Sequence, residues 1–240
     1  MCANHSDKSF AAKAIDFHKN LHYNGDPLPD GITIMNPFRE NPAVLPIIEQ
    51  FYNKYFNDHF KRNIILGINP GRLGGGLTGI PFTDPKRLQA ECAIHYDGPV
   101  THEVSSVFVH EVINAYGGLS KFYGDLYINS PCPLGFTKVD ERGREKNYNY
   151  YDSPALIKAV KSFMIESITN LVQLGIKTDV CFVLGTGKNE KFLNTLNREH
   201  HFFDKLIALE HPRYIMQYKS RNRNIYIDKY LAAFHQVHHR

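Results

Sequence analysis

The run Asn63-Ile64-Ile65-Leu66-Gly67-Ile68 is apolar at nearly every position, so it has no polar face to turn toward water. A short, β-branched stretch of this kind fits a strand covered on both sides. Three more such runs follow, at Leu126–Asn129, Val180–Leu184 and Leu206–Leu209. Between them lie segments with helical spacing of apolar residues. These read as helices over 84–92, 105–116, 153–174, 188–200 and 224–234, preceded by helices over 7–22 and 43–56. Ser6-Asp7 suits the start of the first, and Pro154 and Gly175 bracket the long one. Buried strands alternating with helices predict a parallel sheet, because parallel neighbours need a crossover helix between them. The expectation is a single α/β domain over 1–240. It is a three-layer α/β/α sandwich with a central four-stranded parallel sheet and a helical extension over about 1–40. The polar stretch Asp140–Tyr151 reads as a mobile surface loop.

In such sheets ligands gather at the carboxyl ends of the strands. Three of those ends carry unusual loops: Asn69-Pro70-Gly71, Asn129-Ser130-Pro131-Cys132-Pro133 and Glu210-His211-Pro212-Arg213. The glycine-rich run behind the first loop matches two nucleotide motifs imperfectly. Gly71 to Thr78 has phosphate-loop spacing, but Leu77 stands where the lysine is needed. Gly74, Gly76 and Gly79 match a dinucleotide fingerprint, but Pro81 follows, so no helix opens directly there.

The chain carries 28 Lys and Arg against 24 Asp and Glu, yet the excess is local. Residues 212–240 hold six basic side chains (Arg213, Lys219, Arg221, Arg223, Lys229 and Arg240) against Asp228 alone. Tyr214, Tyr218 and Tyr226 are interleaved with them, and cations beside aromatic faces suit a nucleic acid. The same pattern also describes a solvated helix face. Cys2, Cys92, Cys132 and Cys181 are far apart, which argues for reduced thiols and against a zinc or iron–sulfur site. No run of about 18 apolar residues occurs, so a cytoplasmic chain with no membrane partner is expected. Neither the His102-Glu103 and His110-Glu111 pairs nor the terminal His235, His238 and His239 have metal-site spacing, so no metal is expected.

Gly67-Ile68-Asn69-Pro70-Gly71, with Leu77-Thr78-Gly79-Ile80-Pro81-Phe82 behind it, resembles the first motif of the uracil-DNA glycosylase superfamily. The nearest branch is the single-strand-selective monofunctional one (SMUG). Cys132-Pro133-Leu134-Gly135-Phe136, Asn149-Tyr150-Tyr151-Asp152-Ser153-Pro154-Ala155-Leu156 and His211-Pro212 extend the resemblance in the family's order, over about residues 40–235. It implies a DNA repair glycosylase that starts base excision repair, with DNA as partner, no cofactor and a monomeric chain. Asn69 then resembles the residue that positions the attacking water. His211 resembles the histidine that meets the departing base oxygen, and Phe82 the ring on which the flipped base stacks. Ile68 and Gly71 border the base, and the glycine leaves room for 5-substituents such as that of 5-hydroxymethyluracil.

Two places depart from the family pattern. The asparagine that reads the base is expected two positions before the cysteine, where Ser130 stands, with Asn129 one residue earlier; which of them reads the base stays open. A serine there, with Gly71, suggests a roomier pocket that admits xanthine. After His211-Pro212 the chain continues Arg213-Tyr214-Ile215-Met216, so Ile215 and Met216 are candidates for an apolar wedge, or alternatively for helix packing. Arg213, Lys219, Arg221 and Arg223 would hold phosphates. No lysine suits a Schiff base, so strand cutting is not expected. A nucleotide- or nucleoside-processing α/β enzyme and a catalytically silent nucleic-acid-binding module remain as alternatives.

Overall fold

The computed structural model describes residues 8–237. Cys2, Ser6, Asp7, His238, His239 and Arg240, considered above, lie outside the described residues.

The chain begins with α1 (Phe10–Asn20), β1 (Ile32–Met35), α2 (Pro37–Glu40), α3 (Val44–Phe56) and β2 (Asn63–Leu66). After these come α4 (Gly75–Thr78), α5 (Pro85–Ala90), α6 (Val104–Tyr116), α7 (Leu119–Asp125) and β3 (Leu126–Asn129). An antiparallel pair, β4 (Gly135–Val139) and β5 (Glu145–Tyr148), precedes α8 (Pro154–Gln173), β6 (Val180–Leu184), α9 (Lys188–His200) and β7 (Lys205–Leu209). The last helices are α10 (Pro212–Tyr218) and α11 (Arg223–His235).

All four predicted strands form one parallel sheet in the order β3-β2-β6-β7, with helices on both faces. From β2 the chain first moves outward to β3, then returns past β2 to β6 on the other side. The strand order therefore reverses at β2, and a crevice opens beyond its carboxyl end. Asn69 stands three residues past that end. β2 and β3 are buried at every position, as two-sided cover requires, and one connected apolar core runs from Phe10 to Val237.

The sequence reading misses a second sheet, antiparallel and ordered β1-β4-β5. β1 lies within the segment read as a helical extension, and α1 buries Phe10, Ala11, Ala14 and Ile15 in the common core. Ser9, accepting the Ala12 N–H, caps α1. The expected surface loop over Asp140–Tyr151 contains β5, paired with β4 from Phe136↔Tyr148 to Val139↔Glu145. Its strand signal is weak because Glu145, Lys146 and Asn147 are exposed, so no apolar face marks it.

Several helices start by the same local device, a polar cap followed by proline. Asp84-Pro85 opens α5, Ser153-Pro154 opens α8 and His211-Pro212 opens α10, each cap side chain accepting a backbone N–H of the first turn. Proline at the first helical position loses no hydrogen bond and presets the backbone angle. His211 is thus held at the mouth of β7 by ordinary helix-start chemistry. No helix among the described residues is long and apolar enough to cross a membrane.

Candidate active site

The crevice beyond β2 is a cleft of about 570 Å³, and both Asn69 and His211 line it. Ile68, Gly71, Phe82 and Ser130 line it as well, so three strand-end loops meet at one rim.

Asn69 has a fixed amide. Its Oδ1 accepts the Tyr150 N–H at 3.1 Å, and its Nδ2 donates to the Tyr148 carbonyl at 3.2 Å. These partners belong to the end of β5 and the turn behind it. One lone pair of Oδ1 remains to orient a water.

His211 is equally defined. Its Nδ1 accepts the Arg213 backbone N–H at 3.1 Å. A backbone N–H can only donate, so Nδ1 carries no proton and the neutral ring keeps its hydrogen on Nε2. Burial lowers its pKa to about 4, with the Arg213 charge adding to the effect. His211 therefore presents a neutral Nε2–H donor at neutral pH.

Phe82 has φ 52°, an uncommon value for a residue with a side chain. Neighbouring contacts hold it there. Asp84, fully buried, accepts the N–H of Arg87 at 2.9 Å, its guanidinium at 2.9 Å and the Glu103 N–H at 2.7 Å. The Phe82 ring lies 5.8 Å from the His211 ring, tilted by 52°. A β-carbon at Gly67 would stand 3.3 Å from both Phe82 and the Ser130 hydroxyl, so glycine here admits both to the strand end.

The structure separates Asn129 from Ser130. The Asn129 side chain is buried, with Nδ2 donating to the Tyr127 hydroxyl at 2.9 Å and Oδ1 accepting the Ser130 N–H at 2.8 Å. It does not line the cleft, so the expectation that Asn129 contacts a base is corrected. The Ser130 hydroxyl does line it and makes no hydrogen bond among the described residues. The room expected beside Gly71 is also partly filled: a β-carbon there would meet Glu103 Oε1 at 2.9 Å and Asn147 Nδ2 at 3.3 Å.

On α10, Ile215 is fully buried, which removes it as a wedge; helix packing is its role, and Met216 is half-buried against the core. Arg213, Tyr214 and Tyr218 line the mouth instead. The two tyrosine rings lie 5.5 Å apart and are 42% and 65% exposed, unusual for aromatics without a partner. Lys219 and Arg221 are exposed nearby, whereas Arg223 is paired with Glu111 at 3.0 Å.

Sequence reasoning gave no role to Glu103, Asn147, Lys188 and Asn189, all of which line the cleft. The last two follow β6, the one parallel strand whose carboxyl end the sequence reading passed over, so the strand-end rule would have found them. Asn189 is buried and accepts the Tyr150 hydroxyl at 2.6 Å, bracing the turn that holds Asn69. Nothing local marks Glu103 or Asn147. Among the described residues no cluster of three or more His, Cys, Asp and Glu has the arrangement to hold a metal ion.

A family model described as the uracil DNA glycosylase superfamily matches residues 54–235. Among solved structures, the chain is similar to the crystal structure of wild-type Pedobacter heparinus SMUG2. The two are 58% identical over 97% of this chain and 99% of that one, with a TM-score of 0.95. No curated protein matches the chain.

Proposed function

This chain belongs to the uracil DNA glycosylase superfamily and is a monofunctional DNA glycosylase, a hydrolase of N-glycosyl bonds; from that premise we propose that it draws a damaged nucleotide out of DNA into the cleft and releases uracil, 5-hydroxymethyluracil and xanthine. One observation carries this reading: a locked amide and a neutral imidazole donor line the same cleft at the strand-order reversal.

Water held by Asn69 Oδ1 attacks C1′ of the sugar. The bond from C1′ to the base nitrogen breaks, and its electron pair leaves with the base. Asparagine cannot take the water's proton, which passes through solvent to the departing base anion once the bond has broken, so most of the barrier must be lowered on the leaving side. There the His211 Nε2–H donates to the base oxygen on which charge develops, an oxyanion-hole contribution of about 3–4 kcal/mol. Phe82 offers a face on which the extruded base stacks. The unengaged Ser130 hydroxyl both donates and accepts, which suits the imide edge of uracil. Xanthine presents the same two-carbonyl imide in its six-membered ring, and a single hydroxyl discriminates less against the larger base than a rigid amide would.

Arg213, Lys219 and Arg221 would meet phosphates and Tyr214 and Tyr218 would stack on bases beside the extruded one, a reading supported by their exposure at or near the mouth.

Labelled strands, each with a single uracil, 5-hydroxymethyluracil or xanthine, test the reading. Incubation with the pure protein followed by alkali is expected to cut all three at the damaged position, and to leave them whole without alkali. No alkali-labile site in the uracil strand would overturn the proposal; none in the xanthine strand would remove that substrate.

A further inference from the structure

Asn189 is the second residue of α9 and takes no part in the chemistry above, yet it is buried and both N–H groups of its amide are engaged. The chain reaches it by a tight reversal after β6. Gly185 has φ 117°, a value glycine adopts freely. Its N–H donates to the Leu209 carbonyl at 2.7 Å and its carbonyl accepts the Glu190 N–H at 3.2 Å, so the first turn of α9 folds back toward the strand ends. There the Asn189 amide joins three elements. Nδ2 donates to the Leu184 carbonyl at the end of β6 (2.9 Å) and to the Gly67 carbonyl just past β2 (3.1 Å), and Oδ1 accepts the Tyr150 hydroxyl at 2.6 Å.

Gly67 and Tyr150 are also the two points from which Asn69 is held. Asn69 follows Gly67 by two residues, and its Oδ1 accepts the Tyr150 backbone N–H. Tyr150 is thus clamped at both ends, its N–H on Asn69 and its hydroxyl on Asn189, while its ring lies 5.1 Å from that of Phe192, also on α9. We propose that Asn189 is a positioning residue for the base-excision reaction: through the Gly67 carbonyl and the Tyr150 hydroxyl it sets where Asn69 leaves the sheet and which way its amide faces. The proposal rests on Asn69 as the water-holding residue of the cleft. A flipped Asn189 amide would set Oδ1 against two carbonyls, so the buried side chain has one orientation. Alanine at this position would take a partner from two carbonyls and a phenol, and would untie β2, β6 and the turn behind β5 from one another. A nucleophile displaced by about 1 Å can lose about a hundredfold in rate. The grip on DNA belongs to the mouth of the cleft and is left alone.

Single-turnover uracil release and affinity for an undamaged single strand should be measured in the parent, Asn69→Ala, Asn189→Ala and the chain with both changes, each below its melting transition. Asn189→Ala is expected to slow release by about tenfold or more, with strand affinity within about twofold of the parent. Beside Asn69→Ala the same change is expected to cost no more than about twofold, because the group it positions is gone. Tyr150→Phe removes one oxygen and keeps the buried ring. It is expected to slow release by about threefold or more, again with little effect beside Asn69→Ala, and it decides the matter if Asn189→Ala does not fold. An unchanged rate, an equal loss with and without Asn69, or a fall in strand affinity that matches the fall in rate overturns the proposal. A parent that releases no uracil, or an Asn69→Ala chain as fast as the parent, overturns the reading of the cleft and the proposal with it.

Discussion

The side-chain carbonyl of Asn69 accepts the backbone N–H of Tyr150 at 3.1 Å, across 81 positions of sequence. With the bond from Nδ2 to the Tyr148 carbonyl, it sets which edge of the amide faces the cleft. The turn after β5 is thus a positioning element. Asn69→Ala is expected to slow single-turnover uracil release by about a hundredfold or more, since a misplaced nucleophile forfeits most of its advantage. Asn69→Asp sets an oxygen against the Tyr148 carbonyl, where Nδ2 had donated. Its melting temperature is expected to fall below that of the parent, and an unchanged melt would show that the bond to Tyr148 does not hold the turn.

His211 acts as a neutral donor, and this gives its pH dependence a sign. With the pKa lowered to about 4, the ring is uncharged throughout pH 5–8. Single-turnover release should show no loss of activity as pH rises through 6.5, where an ordinary imidazolium would lose its proton. A His211-dependent fall in that window would mean that the cation is the active form. His211→Ala is expected to slow release by about 10²–10³-fold at every pH in the range.

Those two residues were legible because each follows a strongly marked strand. β2 is apolar at every position after Asn63, and β7 ends in a cap-and-proline step that needs only the local sequence. The second sheet was not legible for the opposite reason. β5 reads Glu-Lys-Asn-Tyr, with no alternation that would betray a strand, and its pairing with β4 forms only in the folded chain. The same strand carries Asn147 and ends at Tyr148, so the parts of the site it supplies were hidden with it. Ile215 and Tyr214 show a finer limit. Adjacent on a helix of about two turns, they point about 100° apart around its axis, and the choice between core and mouth depends on how α10 packs against α6.

The mouth of the cleft makes separable predictions for DNA affinity. Tyr214→Ala and Tyr218→Ala are expected to weaken single-strand binding by about 1–3 kcal/mol for each stacked base lost, without changing the salt dependence. Lys219→Ala and Arg221→Ala should each flatten the plot of log affinity against log salt by about 0.7. Arg223→Ala should flatten it less, because Arg223 is already paired with Glu111. Ile215→Ala is expected to cost about 2–5 kcal/mol of stability while leaving the salt slope intact. Titrations of a labelled strand at several salt concentrations, with thermal melts alongside, distinguish these outcomes. A salt slope that changes in the tyrosine variants would contradict the division of roles.

Acid should destabilise the fold through histidines that have no part in catalysis. His18 and His110 are 2% exposed, and burial lowers the pKa of each to about 4. Between pH 6.5 and 4 the unfolded chain binds protons that the folded chain refuses, so stability rises with pH across that window and is lost as pH falls through it. Each ring accounts for about 3 kcal/mol of that loss once both states are compared below pH 4. Glu103 works in the other direction. Its folded pKa, raised to about 7, means that the folded chain holds a proton which the unfolded chain has released between about pH 4.5 and 7, so its contribution to stability falls as pH rises. Two nearly inaccessible imidazoles outweigh one half-buried carboxyl, and the melting temperature is expected to drop on acidification from pH 6.5 to 4. His110 offers the sharper variant because its Nδ1 has no hydrogen-bond partner among the described residues. His110→Leu should lose little at pH 8 and gain on the parent as pH falls toward 5. Glu103→Gln should melt above the parent at pH 8, with the difference vanishing below pH 4.5. Thermal melts of the three chains at half-unit steps of pH measure both slopes. If the His110→Leu curve runs parallel to that of the parent, His110 is not a site of the acid-driven proton uptake.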